Sequence, residues 1–178
     1  MLGGVEHLLP GTTSADVRGQ NPTVAVLPIG SFEQHGEFHP LITDTTIACA
    51  IAKRIAIDYD LMQLPPVTFS CSHEHADFPG SVSIRATTLV SIINDVADSL
   101  RASGIDRLVI VNGHGGNYVL QNVVQESNTS KRRMTLFPMP SDWQQARTMS
   151  SMKTTAHEDM HAGELETSIL LHVAPELL

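Results

Sequence analysis

The chain alternates short, largely apolar runs with segments whose apolar residues return every three or four positions. Thr23–Ile29 is such a run and predicts a buried strand. Ile47, Ile51 and Ile55 stripe one face of a predicted helix over Thr45–Asp58. Pro65 and Pro66 close off any helix, and a short second strand is expected at Val67–Phe69. Leu89, Ile92, Ile93, Val96, Ala97 and Leu100 give the clearest helical period, over Thr87–Ser103, and Gly104 supplies its stop. Arg107–Val111 is β-branched and reads as a strand buried on both faces. Leu120, Val123 and Val124 mark a helix over Tyr118–Glu126, and a fourth strand is expected at Met134–Pro138. Leu165, Ile169 and Val173 mark a last helix over Ala162–Val173. Residues 1–22 read as an irregular lead-in rich in Gly and Pro, and the segment before the last helix as a polar stretch.

Alternation of this kind predicts an α/β fold, a mainly parallel sheet covered by helices. Ligands of such sheets sit beyond the carboxyl ends of the strands. The two loops richest in polar chemistry, 30–44 and 112–117, both lie there.

Composition narrows the classes. A chain of 178 residues, 42% hydrophobic and 17% charged, fits one globular domain over residues 1–178. The formal charge of −8 disfavours nucleic acid or an anionic membrane as the main partner. Bound divalent ions would offset part of it. The two cysteines, Cys49 and Cys71, do not indicate a disulfide framework. With neither a signal-peptide pattern nor an apolar run of spanning length, the expected location is the cytoplasm.

The candidate chemistry begins at Gly30-Ser-Phe-Glu-Gln-His-Gly-Glu-Phe-His-Pro-Leu-Ile-Thr-Asp44. In extended backbone Glu33 and His35 point the same way, and Asp44, just ahead of a helix, can turn its carboxylate toward the same point. Carboxylate and imidazole at a strand end suit a divalent ion of the zinc, manganese or iron type. A polar surface loop with Asp44 as a plain helix cap is the alternative. In Asn112-Gly-His-Gly-Gly-Asn117 the glycines let the backbone turn sharply and approach a ligand, with Asn112 and Asn117 fixing the loop. The spacing matches no phosphate-binding glycine motif, so His114 reads as a metal ligand. His157-Glu-Asp-Met-His161 matches HExxH, a zincin pattern that requires a helix, which Gly163 argues against. His161 reads instead as a general acid or base, with Glu166 as a further ligand.

As a set, LPIGSFEQHGEFHPLITDT (27–45), SHEHADFPGSVSI (72–84), VNGHGGN (111–117) and HAGELETS (161–168) resemble the creatininase family of metal-dependent amidohydrolases. The resemblance implies a three-layer α/β/α fold with two divalent ions, Zn, Mn or Fe, at the strand ends. It places Glu33, His35, Asp44, His114 and Glu166 on the metal ligands, with Asp44 as the bridging carboxylate and Glu164 as the rival to Glu166. His161 matches a histidine implicated in proton transfer. Glu37, His75, Gly115 and Gly116 are expected at the substrate side. The resemblance gives His75 a place beside the ligands or at the pocket rim, while Glu37 and His39 read as rim or loop-fixing residues and Trp143 as lining the pocket or an interface. Met149, Met152 and Met160 read as adaptable packing.

Creatininase has a carboxylate two residues after the His of its third block, where this chain has Gly116. The expectation therefore moves from creatinine to the NGHGGN subgroup, which includes a formamide hydrolase and a peptidase. The implied reaction is cleavage of a C–N amide bond, in a small cyclic amide or formamide, by a hydroxide bridging two ions. A peptidase, or a non-catalytic metal-binding relative, is the alternative. The resemblance also implies a homo-oligomer, and relatives that continue beyond the last block, where this chain stops.

Overall fold

The computed structural model describes residues 5–178; residues 1–4 of the expected lead-in lie outside them. Four strands, β1 (Val24–Ile29), β2 (Met62–Gln63), β3 (Arg107–Asn112) and β4 (Met134–Phe137), form one parallel sheet in the order β2-β1-β3-β4. The main helices are α1 (Ser14–Gln20), α2 (Thr43–Tyr59), α3 (Ala86–Ala102), α4 (Leu120–Ser127), α5 (Pro140–Met149) and α6 (Glu164–Val173).

Strand order dictates the layers. The step from β1 to β2 moves one way across the sheet, and the steps to β3 and β4 move the other way. Right-handed crossovers then put α2 on one face and α3 with α4 on the opposite face. The strands alternate accordingly. Val26, Val109 and Val111 pack with Ala48, Ala52 and Ala56 of α2. Ala25, Leu27, Ile29, Leu108 and Ile110 pack with Leu89, Ile93, Ala97, Leu120 and Val123 of α3 and α4. Both faces of β1 and β3 are thus covered, as their continuous apolar sequences require.

Several elements differ from the sequence expectation. The buried face of α2 is built of alanines, with Ile51 and Ile55 flanking it, so the helix lies close on the sheet. The second strand is Met62–Gln63 and not Val67–Phe69. Pro65 and Pro66 lack an N–H and take the chain off the ladder. It returns only at Val67, which bridges Ile29 and receives the Gly30 N–H at 3.0 Å. The lead-in contains α1, capped by Thr13 and Asp16, which exchange backbone and side-chain hydrogen bonds of 3.2 and 2.8 Å. The polar stretch contains α5, with Pro140 in its first turn and the Asp142 carboxylate accepting the Met139 N–H at 2.7 Å. Among the described residues no helix is long and apolar enough to cross a membrane.

Candidate metal centre

The strand order reverses between β1 and β3, and the crevice at such a switch point is where open sheets place ligands. Ile29 and Asn112 pair at the ends of these strands, and each is followed by glycine. Both glycines are there for space. A Cβ on Gly30 would lie 2.3 Å from the Thr45 backbone, and one on Gly113 would lie 2.3 Å from the Asp44 carbonyl oxygen. The first turn of α2 therefore rests directly on both strand exits and delivers Asp44 into the crevice.

Around Asp44 the polar loops converge. Its Oδ2 accepts from Ser31 Oγ at 2.7 Å and lies 2.9 Å from His114 Nδ1, while Oδ1 lies 3.1 Å from His35 Nε2. His35 Nδ1 is fixed by the Glu33 carbonyl at 3.0 Å, and His114 Nε2 by the Cys71 carbonyl at 2.7 Å. Asn112 and Asn117 hold the glycine turn: Asn112 Nδ2 donates to the His114 carbonyl, and Asn117 Oδ1 accepts from the Cys71 N–H. Glu166 Oε2 stands 4.0 Å from His35 Nε2 and accepts the Ala162 N–H at 2.6 Å.

Glu33 is the anomaly. It is fully buried, yet neither carboxylate oxygen has a hydrogen-bond partner among the described residues. Three imidazoles face its Oε1: His114 Nδ1 at 3.3 Å, His75 Nε2 at 3.4 Å and His161 Nδ1 at 3.9 Å. A buried carboxylate without hydrogen bonds is costly unless a cation meets it. Burial accordingly pushes Glu33 above the usual carboxylate range, against the pull of His114.

The remaining shifts tell the same story. Burial alone would raise Asp44, but the hydrogen bonds and charges of His114 and His35 outweigh it and hold the carboxyl below its ordinary range. Burial pulls His114 down, yet its bond to Asp44 and the Asp44 and Glu33 charges carry it to about 9. Burial, then repulsion from Asp44, lifts Glu166 to about 7. His161 is lowered by burial and by repulsion from His35. Protons held on these groups balance charge that divalent ions would balance instead.

The donor atoms fit such ions. One atom each from His35, Asp44 and Glu166 lie within 4.8 Å of one another, as do sets from Glu33, His35 and His161 and from Glu33, Glu74 and His114. Imidazole nitrogen and carboxylate oxygen are the donors zinc and manganese take. Glu33, His35, Asp44, His114 and Glu166, drawn from three separated segments, are therefore brought to one place.

The other expected site residues divide. His75 faces Glu33, with its Nε2 3.4 Å from Oε1. Glu164 turns away and receives the Lys153 and Thr154 N–H groups at 3.0 and 2.9 Å, leaving Glu166 toward the cluster. His39 Nε2 bonds Thr167 Oγ1 at 2.9 Å, and His73 bonds Ser83. Glu37 is exposed on the turn between His35 and His39 and takes no part in the contacts above. Gly115 lines a cavity, whereas Gly116 is buried against Glu74 and His114. His157–His161 lies in turns ahead of α6, so the HExxH match lacks its helix. Met149 and Met160 are exposed and not packing residues. Sequence reasoning passed over Glu74, and Gln34, whose carbonyl accepts from His161 Nε2 at 2.6 Å.

Beside the cluster lies a cavity of about 350 Å³, of the size that takes small ligands. His114, Gly115 and Glu166 line it together with Ile47, Trp143 and Ile169. A buried ion pair of Arg147 with Asp159, at 2.6 Å, also lines it.

Comparison with known proteins agrees with this picture. The creatininase family, described as creatinine amidohydrolase, matches residues 11–178. The chain is 34% identical over 176 residues to a mycofactocin precursor peptide peptidase of Mycobacterium ulcerans, covering 94% of this chain and 64% of that protein. It is 25% identical over 173 residues to the creatinine amidohydrolase of Pseudomonas putida, covering 87% and 66%. A crystal structure of creatininase superposes with a TM-score of 0.77 at 22% identity, over 96% of this chain and 74% of that one. The chain spans just under two thirds of the length of these two curated relatives. With the family matched over nearly its whole length, this chain belongs to the creatininase family.

Proposed function

We propose that the chain is a metal-dependent hydrolase of C–N amide bonds whose substrate is a peptide. The observation that carries the metal requirement is the buried, unpartnered Glu33 carboxylate facing three imidazoles, next to Asp44 held between His35 and His114. Solved creatininase structures include Zn–Zn and Mn forms, which supports ions of that type here. Two such ions, when bound, supply a water acidified toward neutrality and a Lewis acid for the amide carbonyl.

Each residue then has a role. Glu33, His35, Asp44, His114 and Glu166 would hold the ions, with Asp44 placed to serve both because its two oxygens already face different imidazoles. His161 donates its Nε2 proton to the Gln34 carbonyl, so its Nδ1 lone pair faces the cluster. With its pKa lowered by burial and His35, the ring is neutral near pH 7, able to take a proton and return it to the leaving amine. Rings of His75 and His35 at 4.4 and 4.2 Å hold it in place. The cavity beside Glu166, walled by Ile47, Trp143 and Ile169, gives an apolar side chain of the substrate somewhere to sit.

Sequence reading put a small amide or formamide first. The peptide reading takes precedence because the peptidase relative is 34% identical and the creatinine amidohydrolase relative 25%. The cavity of about 350 Å³ beside the cluster keeps the small-amide reading as the second one. The test is amine release from short peptides, formamides and cyclic amides by the chain loaded with Zn²⁺ or Mn²⁺. Peptide cleavage that stops with chelator and returns with metal is the expected result. Turnover of formamides or cyclic amides alone would favour the second reading, and turnover of none would overturn both.

A further inference from the structure

We propose that Glu74 is a ligand of the ion held by Glu33 and His114, reaching it through the gap left by the missing side chain of Gly116. The inference rests on the metal-centre reading above and extends it to a residue from a different loop. Glu74 lies on a short helical turn, His73–His75, at the surface, and its side chain is 44% exposed. Nevertheless its carboxylate turns inward. One of its oxygens, a Glu33 oxygen and a His114 nitrogen all lie within 4.8 Å of one another. Donors bonded to one ion at about 2.0–2.2 Å stand about 3–4 Å apart, so small shifts close the set.

Two observations distinguish Glu74 from an ordinary surface acid. The first is Gly116: a Cβ there would fall 2.0 Å from Glu74 Oε1 and 2.4 Å from His114 Nε2. Any side chain at 116 would displace the Glu74 carboxylate. The second is that Glu33, the buried carboxylate in the same set, has no hydrogen-bond partner of its own. A mere orienting role for Glu74 on His114 is already filled. The Nε2 proton goes to the Cys71 carbonyl at 2.7 Å, whereas Glu74 Oε1 stands 3.4 Å from that nitrogen.

The test is metal content and Zn²⁺ or Mn²⁺ calorimetry on chelator-stripped full chain, comparing the unmodified protein with Glu74→Gln, Glu74→Ala and His73→Gln. The expected result is two ions per chain for the unmodified protein and His73→Gln. For both Glu74 variants one ion is retained and the other binds at least tenfold more weakly. The metal-free melting temperature should change little, since Glu74 is half exposed and its pairing with His114 is screened by solvent. With Mn²⁺, the electron paramagnetic resonance signal of a coupled pair should give way to that of an isolated ion. Two ions of unaltered affinity in both Glu74 variants would overturn this assignment alone. Fewer than two ions on the unmodified chain would overturn the dinuclear reading, and this assignment with it.

Discussion

Asp44, in the first turn of α2, and His114, just past the end of β3, meet at 2.9 Å in the crevice where the sheet reverses its strand order. The contact joins a helix N-terminus to a strand exit and fixes the centre of the cluster. It also sets the charge state of the metal-free protein.

His114, raised from 6.5 to about 9, holds its proton more tightly in the folded chain than in the unfolded one. Its contribution to metal-free stability is therefore complete below pH 6.5 and lost as the pH rises through about 9. A cation has to displace that proton. Apparent metal affinity should climb with pH toward about 9 and then level off, with net proton release at pH 7.5. Calorimetry in buffers of different ionisation enthalpy measures that release.

His161→Ala removes the imidazole assigned to proton transfer. Turnover should fall by roughly 10²–10⁴-fold while bound metal stays at the unmodified level. Steady-state kinetics paired with elemental analysis separates the outcomes, because loss of metal would make His161 a ligand.

Gly113→Ala places a methyl group 2.3 Å from the Asp44 carbonyl oxygen and 3.1 Å from Ala48 Cβ. Either the α2 first turn or the β3 exit has to shift, costing about 1–3 kcal/mol or more by the usual scale of overpacking. Urea titration should show the lost stability. Metal affinity should fall in parallel, because the displaced backbone carries Asp44.

Asp159→Ala leaves Arg147 buried without its partner and removes the acceptor of the Leu165 N–H in the first turn of α6. A loss of about 3–5 kcal/mol is expected from breaking a buried pair on one side. Replacing Arg147 by Met in the same chain should recover part of it. Denaturant midpoints of the single and double variants give the comparison.

Much of this arrangement was readable beforehand because it depends on short periods. The alternation of Glu33 and His35 and the glycines around His114 pointed at the strand ends, and the structure puts them there. The core strands and α3 were legible from continuous or three-to-four-residue apolar patterns. What escaped lacks such a signal. Helix α1 buries none of its residues and α5 buries only Arg147, so neither shows an apolar stripe. The inner face of α2 is alanine, which periodicity reads as neutral beside Ile47 and Ile51. Glu74 sits on an exposed helical turn, and only the fold sets its carboxylate against Gly116 and His114.

The most direct test of the central claim is anomalous diffraction at the zinc edge from crystals of the chain grown with Zn²⁺. Two peaks about 3.5–4 Å apart are expected, bounded by Glu33, His35, Asp44, His114 and Glu166. No peak there, or a lone ion held by other side chains, would contradict the account.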